Sequence, residues 1–191
     1  MWQKYLDGQY RQPSGLVGRW VGSKMAEQHV AENLWTVALL DVQPSDRILE
    51  IGFGPGIAVE AAAKRAARGF VAGVDVSRTM VAAASKRNIA AIRAGKVELR
   101  HADAAHLPYP DASFNKAFSI HSIYFWRDPL LALKDIYRVL KPHGLLVLTV
   151  LPKEKWNLAD PDEAGAPDCR PYSGDELLAL MREAGFTGER I

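Results

Sequence analysis

The stretch ILEIGFGPGIAVEAAA, Ile48 to Ala63, sets three glycines within five positions, between an apolar run and an alanine-rich segment of helical character. Glycine tolerates positive φ and lets another group approach the main chain within van der Waals reach. A strand, a glycine bend and a helix in succession therefore form a cradle for a nucleotide-like ligand. Gly52, Gly54 and Gly56 fall as G-x-G-x-G, with Ile57 where the dinucleotide pattern G-x-G-x-x-G wants its third glycine. Glu50, two places before Gly52, is expected to point from the strand end into the site. A carboxylate there is awkward beside a pyrophosphate and useful beside a cationic ligand.

Working outward, apolar runs and helical patterns alternate, which predicts a doubly wound α/β domain with parallel strands joined by crossover helices. Strands are expected over 47–51, 70–75, 97–101, 116–120 and 145–151, and helices over 24–40, 57–67, 77–93, 129–140 and 174–184. Asp128 before Pro129 reads as a helix start, and Ser173 with Glu176 as a capping box. Gly185 suits the left-handed position after the last helix, and Pro142 bars continuation past Lys141. Residues 1–23 read as an arm and 24–191 as the domain proper. The stretch 152–172, with four prolines, is too long for an ordinary connection and reads as a lid or a strap. After Gly185, FTGERI reads as the opening of another strand, so either the last, C-terminal strands are truncated or the last strand is short and exposed as an edge.

A length of 191 residues with 48% hydrophobic content suits one globular domain. The 24 basic residues nearly balance 22 acidic ones without long runs of either, which gives no electrostatic reason to expect nucleic acid or anionic lipid as a partner. Cys169 is the single cysteine, so neither a disulfide framework nor a multi-cysteine metal site is expected, and a reducing, cytoplasmic setting fits. No run of 18 apolar residues suggests a membrane span. His29, His101, His106 and His143 are scattered without metal-ligand spacing; no metal is expected and no chemistry is assigned to them.

At this point the motifs become recognisable. ILEIGFGPG resembles motif I of class I S-adenosylmethionine-dependent methyltransferases. VAGVDVS is similar to the second strand with its terminal acid, VELRHADAAHLPYPDASFNKAFSIHSIYFW to the third and fourth strands, and IYRVLKPHGLLVLTV to the fifth. The resemblance covers roughly residues 35–191 and is nearest the branch of ubiquinone and menaquinone C-methyltransferases. It implies a Rossmann-like fold, S-adenosyl-L-methionine as cofactor, and cofactor contacts from Glu50, Gly52, Phe53, Gly54 and Gly56. It further implies that Asp75, nineteen residues after Gly56, takes both ribose hydroxyls and that Asp103 accepts from the adenine amine, with Ala104 giving a backbone contact. Val76 and Met80 flank the adenine or belong to the core. Ser119 would hold the methionine portion. Asn115 stands where the family usually carries an acid, which removes any role for a charge there.

Methyl transfer from a sulfonium leaves a neutral thioether, so the absence of a catalytic dyad does not count against this chemistry. His121, at the end of the fourth strand, reads either as the base for the acceptor or as a residue that shapes the pocket. Tyr124, Phe125 and Trp126 follow it, as an acceptor wall or as packing under the next helix. Trp20, with Trp156 and Tyr172, lies in the irregular stretches and either closes over the site or tacks those segments down. The expected partner is a small apolar or aromatic acceptor. The alternatives are a non-catalytic cofactor-binding subunit and a nicotinamide oxidoreductase, the second of which the glycine spacing and Glu50 argue against.

Overall fold

The computed structural model describes residues 14, 15, 17, 18, 29–158 and 169–191. Trp20, most of the arm, residues 24–28 of the first expected helix and the middle of the 152–172 stretch lie outside the described residues. Five strands form one parallel sheet: β1 (Arg47–Ile51), β2 (Phe70–Asp75), β3 (Val97–His101), β4 (Phe114–Ile120) and β5 (Leu140–Thr149), in the spatial order β3-β2-β1-β4-β5. The described helices are α1 (Val30–Leu39), α2 (Ile57–Arg65), α3 (Arg78–Arg87), α4 (Ile89–Arg93), α5 (Pro129–Val139) and α6 (Gly174–Glu183), with two 3-10 turns over Ile123–Phe125 and Lys153–Leu158.

Each β1 neighbour of the pleat serves a different layer. Leu49 and Ile51 join Leu133, Ile136 and Val139 of α5 in one core. Ile48 joins Val37 of α1, Ala58 and Val59 of α2, Ala84 of α3 and Phe118 in the other. Because both faces are covered, β1 reads as a nearly unbroken apolar run, as buried parallel strands do. The chain leaves β1 toward β2 and β3, then returns to place β4 on β1's other side. That reversal opens a crevice at the carboxyl ends of β1 and β4.

The helix starts follow from local chemistry. Ser77 accepts from the Met80 N–H, Asp128 from the Leu131 N–H, and Ser173 and Glu176 form a reciprocal capping box. The expected helix over 77–93 is two helices, because the Asn88 side-chain amide donates to the carbonyls of Gly56 and Ala84 and ends α3 there. β5 starts at Leu140, without a gap after α5. Its first half is irregular, with a register shift opposite Phe114 and Lys116 that accommodates Pro142 at the sheet edge. Residues 186–191 form no strand, contrary to the expectation for FTGERI. Instead the Ile191 side chain covers Gly174, where an added Cβ would lie 2.7 Å from Ile191 Cδ1. Among the described residues the sheet ends at β5.

Two of the expected site residues belong to the interior. Phe53 is buried against Gly73, where a Cβ would come within 2.6 Å of its ring, and so it packs under the sheet. Glu50 is 2% exposed, and its Oε2 has no hydrogen-bond partner among the described residues. Burial, then the nearby Asp75 charge, hold its carboxyl well above the ordinary value, against the opposing effect of the Val59 N–H. Burial thus favours the neutral form of Glu50, and its side chain lies in the interior at the strand end, not in open space.

Two stability predictions follow from these placements. Gly56 has φ 78°, and an added Cβ would stand 2.7 Å from Ala84 Cβ and 2.8 Å from Asn88 Nδ2. Gly56→Ala is expected to lower unfolding free energy by about 1–3 kcal/mol through overpacking and backbone strain, read by denaturant unfolding. An unchanged midpoint would contradict this close approach of α2 and α3. Glu50 in the folded state holds its proton more tightly than in the unfolded chain, so its contribution to stability is complete below about pH 4.5 and fades as pH rises through the elevated value. Glu50→Gln should therefore lose less Tm than the wild type between pH 5 and pH 8; equal losses would show Glu50 ionised in the fold.

Candidate active site

The crevice at the strand ends holds a cavity of about 370 Å³, walled in turn by the segment that follows each of β1 to β4. Ile51, Gly52 and Gly54 come from the glycine bend, and Val74, Asp75, Val76 and Met80 from the end of β2 and the start of α3. His101 ends β3 and Ala102, Asp103 and Ala104 follow it, while Ile120 ends β4 and His121, Ser122, Phe125, Trp126 and Arg127 follow it. The cavity falls in the size range of small-molecule sites.

The bend is stitched on two sides. Asp75 Oδ2 accepts the Gly54 N–H at 2.9 Å and Oδ1 the Ser77 N–H at 2.8 Å, while the Gly52 N–H donates to the Val74 carbonyl at 2.8 Å. From the other side, Ser122 Oγ donates to the Ile51 carbonyl at 3.0 Å. Ser122 lies so close that a Cβ on Gly52 would meet its Cβ at 2.4 Å. At Gly54, with φ 49°, an added Cβ would meet nothing within 4 Å. The three glycines therefore have separate causes: Gly52 admits Ser122, Gly56 admits α3, and Gly54 presents bare main chain to the open cavity.

Asp75 is pushed up to about 6 by burial, against the two N–H donors and His101, which favour its ionised form. Asp103 is exposed at the cavity wall, and its Oδ1 accepts the Ala105 N–H at 2.9 Å, the turn geometry of an aspartate with one oxygen engaged. Met80 is buried yet lines the cavity, and Val76 is exposed in it. This donor set fits S-adenosylmethionine: a bare glycine face, two carboxylates at the ends of β2 and β3, and apolar Val76, Met80, Ala102 and Ala104 between them.

At the other end of the cavity His121 adopts φ 50°, a conformation uncommon outside glycine and often found at working sites. Its N–H donates to the Thr149 carbonyl, and its Nδ1 lies 3.3 Å from the Tyr124 hydroxyl. Burial and the neighbouring His29 charge lower its pKa, against Glu32, which raises it. Glu32 is raised by burial, but the His29 hydrogen bond and the two imidazole charges outweigh this and leave it lowered. Helix α1 is held here because Thr36 and Thr149 share a buried hydroxyl contact of 2.6 Å.

Several expectations need correcting. Ser119 is buried and turns its hydroxyl to Ser122 at 2.6 Å; Ser122, not Ser119, lines the cavity. Tyr124 is buried with Ile123, Tyr172 and Leu177, its hydroxyl bonded to the Leu151 backbone, so only Phe125 and Trp126 of the three aromatics face the cavity. Tyr172 is 1% exposed, and Trp156 stacks edge-on to Tyr124 at 4.7 Å, so both fasten the irregular stretch to the body. Gly56, Phe53 and Glu50 do not line the cavity. His29 is not scattered: its ring centroid is 4.9 Å from that of His121. His101, Ser122 and Arg127 line the cavity without having been singled out; only the S-I-H-S-I-Y-F-W-R run after β4 carried a signal for the last two.

Comparison with known proteins agrees with this geometry. The family described as "Methyltransferase domain" matches residues 49–148, just over half of the chain. The chain is 32% identical over 165 residues to the uncharacterized methyltransferase YdaC of Bacillus subtilis, covering 86% of this chain and 84% of that one. It is 33% identical over 159 residues to the 27-O-demethylrifamycin SV methyltransferase of Amycolatopsis mediterranei, covering 79% of this chain but only 57% of that protein. The structure of an S-adenosylmethionine-dependent methyltransferase of Thermotoga maritima, a possible histamine N-methyltransferase, aligns with TM-score 0.68 at 28% identity, covering 88% of this chain and 79% of that one. The nicotinamide alternative is set aside by these matches. With a parallel sheet, a glycine bend open at Gly54 and a carboxylate at the end of β2, the chain belongs to the methyltransferase-domain family and is a class I S-adenosylmethionine-dependent methyltransferase.

Proposed function

We propose that this enzyme methylates a hydroxyl oxygen of a small molecule with an apolar or aromatic body. The observation that carries the reading is the composition of the cavity beyond the glycine bend, where Ile120, Phe125 and Trp126 line it together with His121. Apolar walls with a few convergent polar groups are the usual form of a small-molecule site. Several relatives with named reactions are O-methyltransferases, including the rifamycin enzyme, which supports oxygen over the carbon of quinone methylation that the motif order suggests. No helix among the described residues is long and apolar enough to cross a membrane.

In this reading Asp75 takes the ribose hydroxyls, Asp103 the adenine amine with Ala104 beside it, and Val76 and Met80 the faces of the ring. The bare main chain at Gly54, with Gly52 beside it in the bend, receives the amino-acid portion. S-adenosylmethionine supplies a methyl group on a positively charged sulfur whose leaving form is neutral. The chain therefore needs no acid for the leaving group, and orientation of the acceptor alone can contribute roughly 7–11 kcal/mol. Phe125 and Trp126 exclude water and hold the acceptor's ring, and His121 handles the proton of its hydroxyl.

Asp75→Asn is expected to weaken S-adenosylhomocysteine binding at least tenfold, about 1.4 kcal/mol, in calorimetry at pH 7.5. Wild-type affinity should fall below about pH 6, where the free protein holds a proton on Asp75, while the Asn variant shows no such fall. Retained affinity in the variant would reject the ribose role. His121→Ala should bind S-adenosylhomocysteine within about twofold of wild type yet turn over a phenolic acceptor about 100-fold more slowly. Equal turnover would remove His121 from the chemistry.

A further inference from the structure

Helix α1 brings a second set of donors to the acceptor end of the cavity. His29 Nδ1, Glu32 Oε2 and His121 Nε2 all lie within 4.8 Å of one another. One carboxylate oxygen, Glu32 Oε2, faces both imidazoles, at 2.5 Å from His29 Nδ1 and 3.4 Å from His121 Nε2. His29 is the residue before α1 and Glu32 sits in the first turn of that helix, and the Thr36–Thr149 contact fixes α1 over the end of β5, to which the His121 backbone is itself bonded. The three side chains come from segments 92 positions apart and would not meet without this anchoring.

The ring of His121 is oriented as a ligand's ring is. The Tyr124 hydroxyl receives the Leu151 N–H and lies 3.3 Å from both the Leu151 carbonyl and His121 Nδ1. When the hydroxyl hydrogen goes to that carbonyl, Nδ1 must carry its own hydrogen and donate to Tyr124, which leaves the lone pair on Nε2. That nitrogen is buried and makes no hydrogen bond among the described residues, although the Glu32 carboxylate stands beside it. In this tautomer the Nε2 lone pair and the Glu32 carboxylate face each other at 3.4 Å, an arrangement that a cation between them, a proton or a metal ion, would relieve. An outer hydrogen bond that fixes the tautomer and turns the free nitrogen inward is the usual support of a metal-bound imidazole.

The geometry points to a binding site for a first-row divalent transition-metal ion, of the zinc or cobalt kind, formed by His29, Glu32 and His121 at the acceptor end of the cavity. Two imidazoles and one carboxylate suit these ions better than calcium or magnesium, which prefer all-oxygen sets. Tetrahedral bonds of about 2.1 Å require the His29–Glu32 contact of 2.5 Å to open to about 3.4 Å, a rotation of two side chains that are 24% and 46% exposed. Three protein ligands leave a fourth position open, and of the three residues His121 lines the cavity, so the proposal places that position on the acceptor side. The consequence for catalysis rests on the proposed function: an acceptor oxygen bound there would lose its proton more readily, with His121 acting through the ion.

The test uses the full chain, stripped of metal by chelator and dialysis, and titrated with cobalt(II) and zinc(II). Expected are one equivalent bound, a visible cobalt spectrum of low-symmetry nitrogen and oxygen coordination, and at least tenfold weaker binding in both His29→Ala and Glu32→Gln. Cys169→Ser should leave binding unchanged. Absence of stoichiometric binding by the wild type, unchanged affinity in both variants, or loss of binding in Cys169→Ser would overturn the site. Glu32 is half exposed on a helix surface, so Glu32→Gln is expected to fold, and circular dichroism checks this; the wild-type titration decides the matter without any variant. Metal binding without methylation of any phenolic acceptor would reject the proposed function alone, and methylation by a protein that binds no metal would reject this inference alone.

Discussion

The two hydrogen bonds that Asp75 accepts, from Gly54 and Ser77, are the constraint on which the rest of the molecule depends. They join the bend after β1 to the start of α3 and turn the end of β2 toward the crevice. Charge-assisted bonds to backbone N–H groups are among the stronger ones available to a protein. With Ser122 holding the Ile51 carbonyl from the β4 side, the bend is fixed from both neighbours of the central strand. A loop held in this way presents its main chain to a ligand without having to be ordered by it, which lowers the entropic cost of binding.

The same carboxylate divides the labour of the acidic pair. Burial and the neighbouring Asp75 push the Glu50 carboxyl up, whereas Asp75 keeps two N–H donors and His101 that favour its ionised form, a charge at the cavity wall. From that charge the cavity runs through the apolar Val76 and Met80 on one side and toward Phe125, Trp126 and His121 on the other. One end thus matches hydroxyl and amine donors, and the other an apolar body with a single ionisable group. The topology makes this possible, because the reversal between β1 and β4 is the one place in such a sheet where adjacent strand ends diverge.

Much of this was legible in the sequence, for physical reasons that differ by residue. The five strands and the caps at Asp128 and Ser173 are local signals and were readable, as was the strand-terminal acid Asp75. The orientation of Glu50 was not, because a strand buried on both faces carries no alternation to tell which way a side chain points. Ser119 and Ser122 are three residues apart at a strand end, and only the left-handed turn at His121 decides which of them reaches the cavity. The break at Asn88 depends on a carbonyl of Gly56, thirty-two positions away, and no helical periodicity records such a bond. The meeting of His29, Glu32 and His121 is of the same kind, set by a hydroxyl pair between α1 and β5.

The central claim is that the cofactor lies on the bend fixed by Asp75. Backbone amide resonances followed during titration with S-adenosylhomocysteine test it most directly. The account predicts that the largest shifts fall on Gly52, Gly54, Val76 and Ala104, with Gly54 moving most because its N–H is already held by the carboxylate that receives the ligand. Saturable binding that leaves those four resonances in place, with the shifts gathered elsewhere on the sheet, would contradict it.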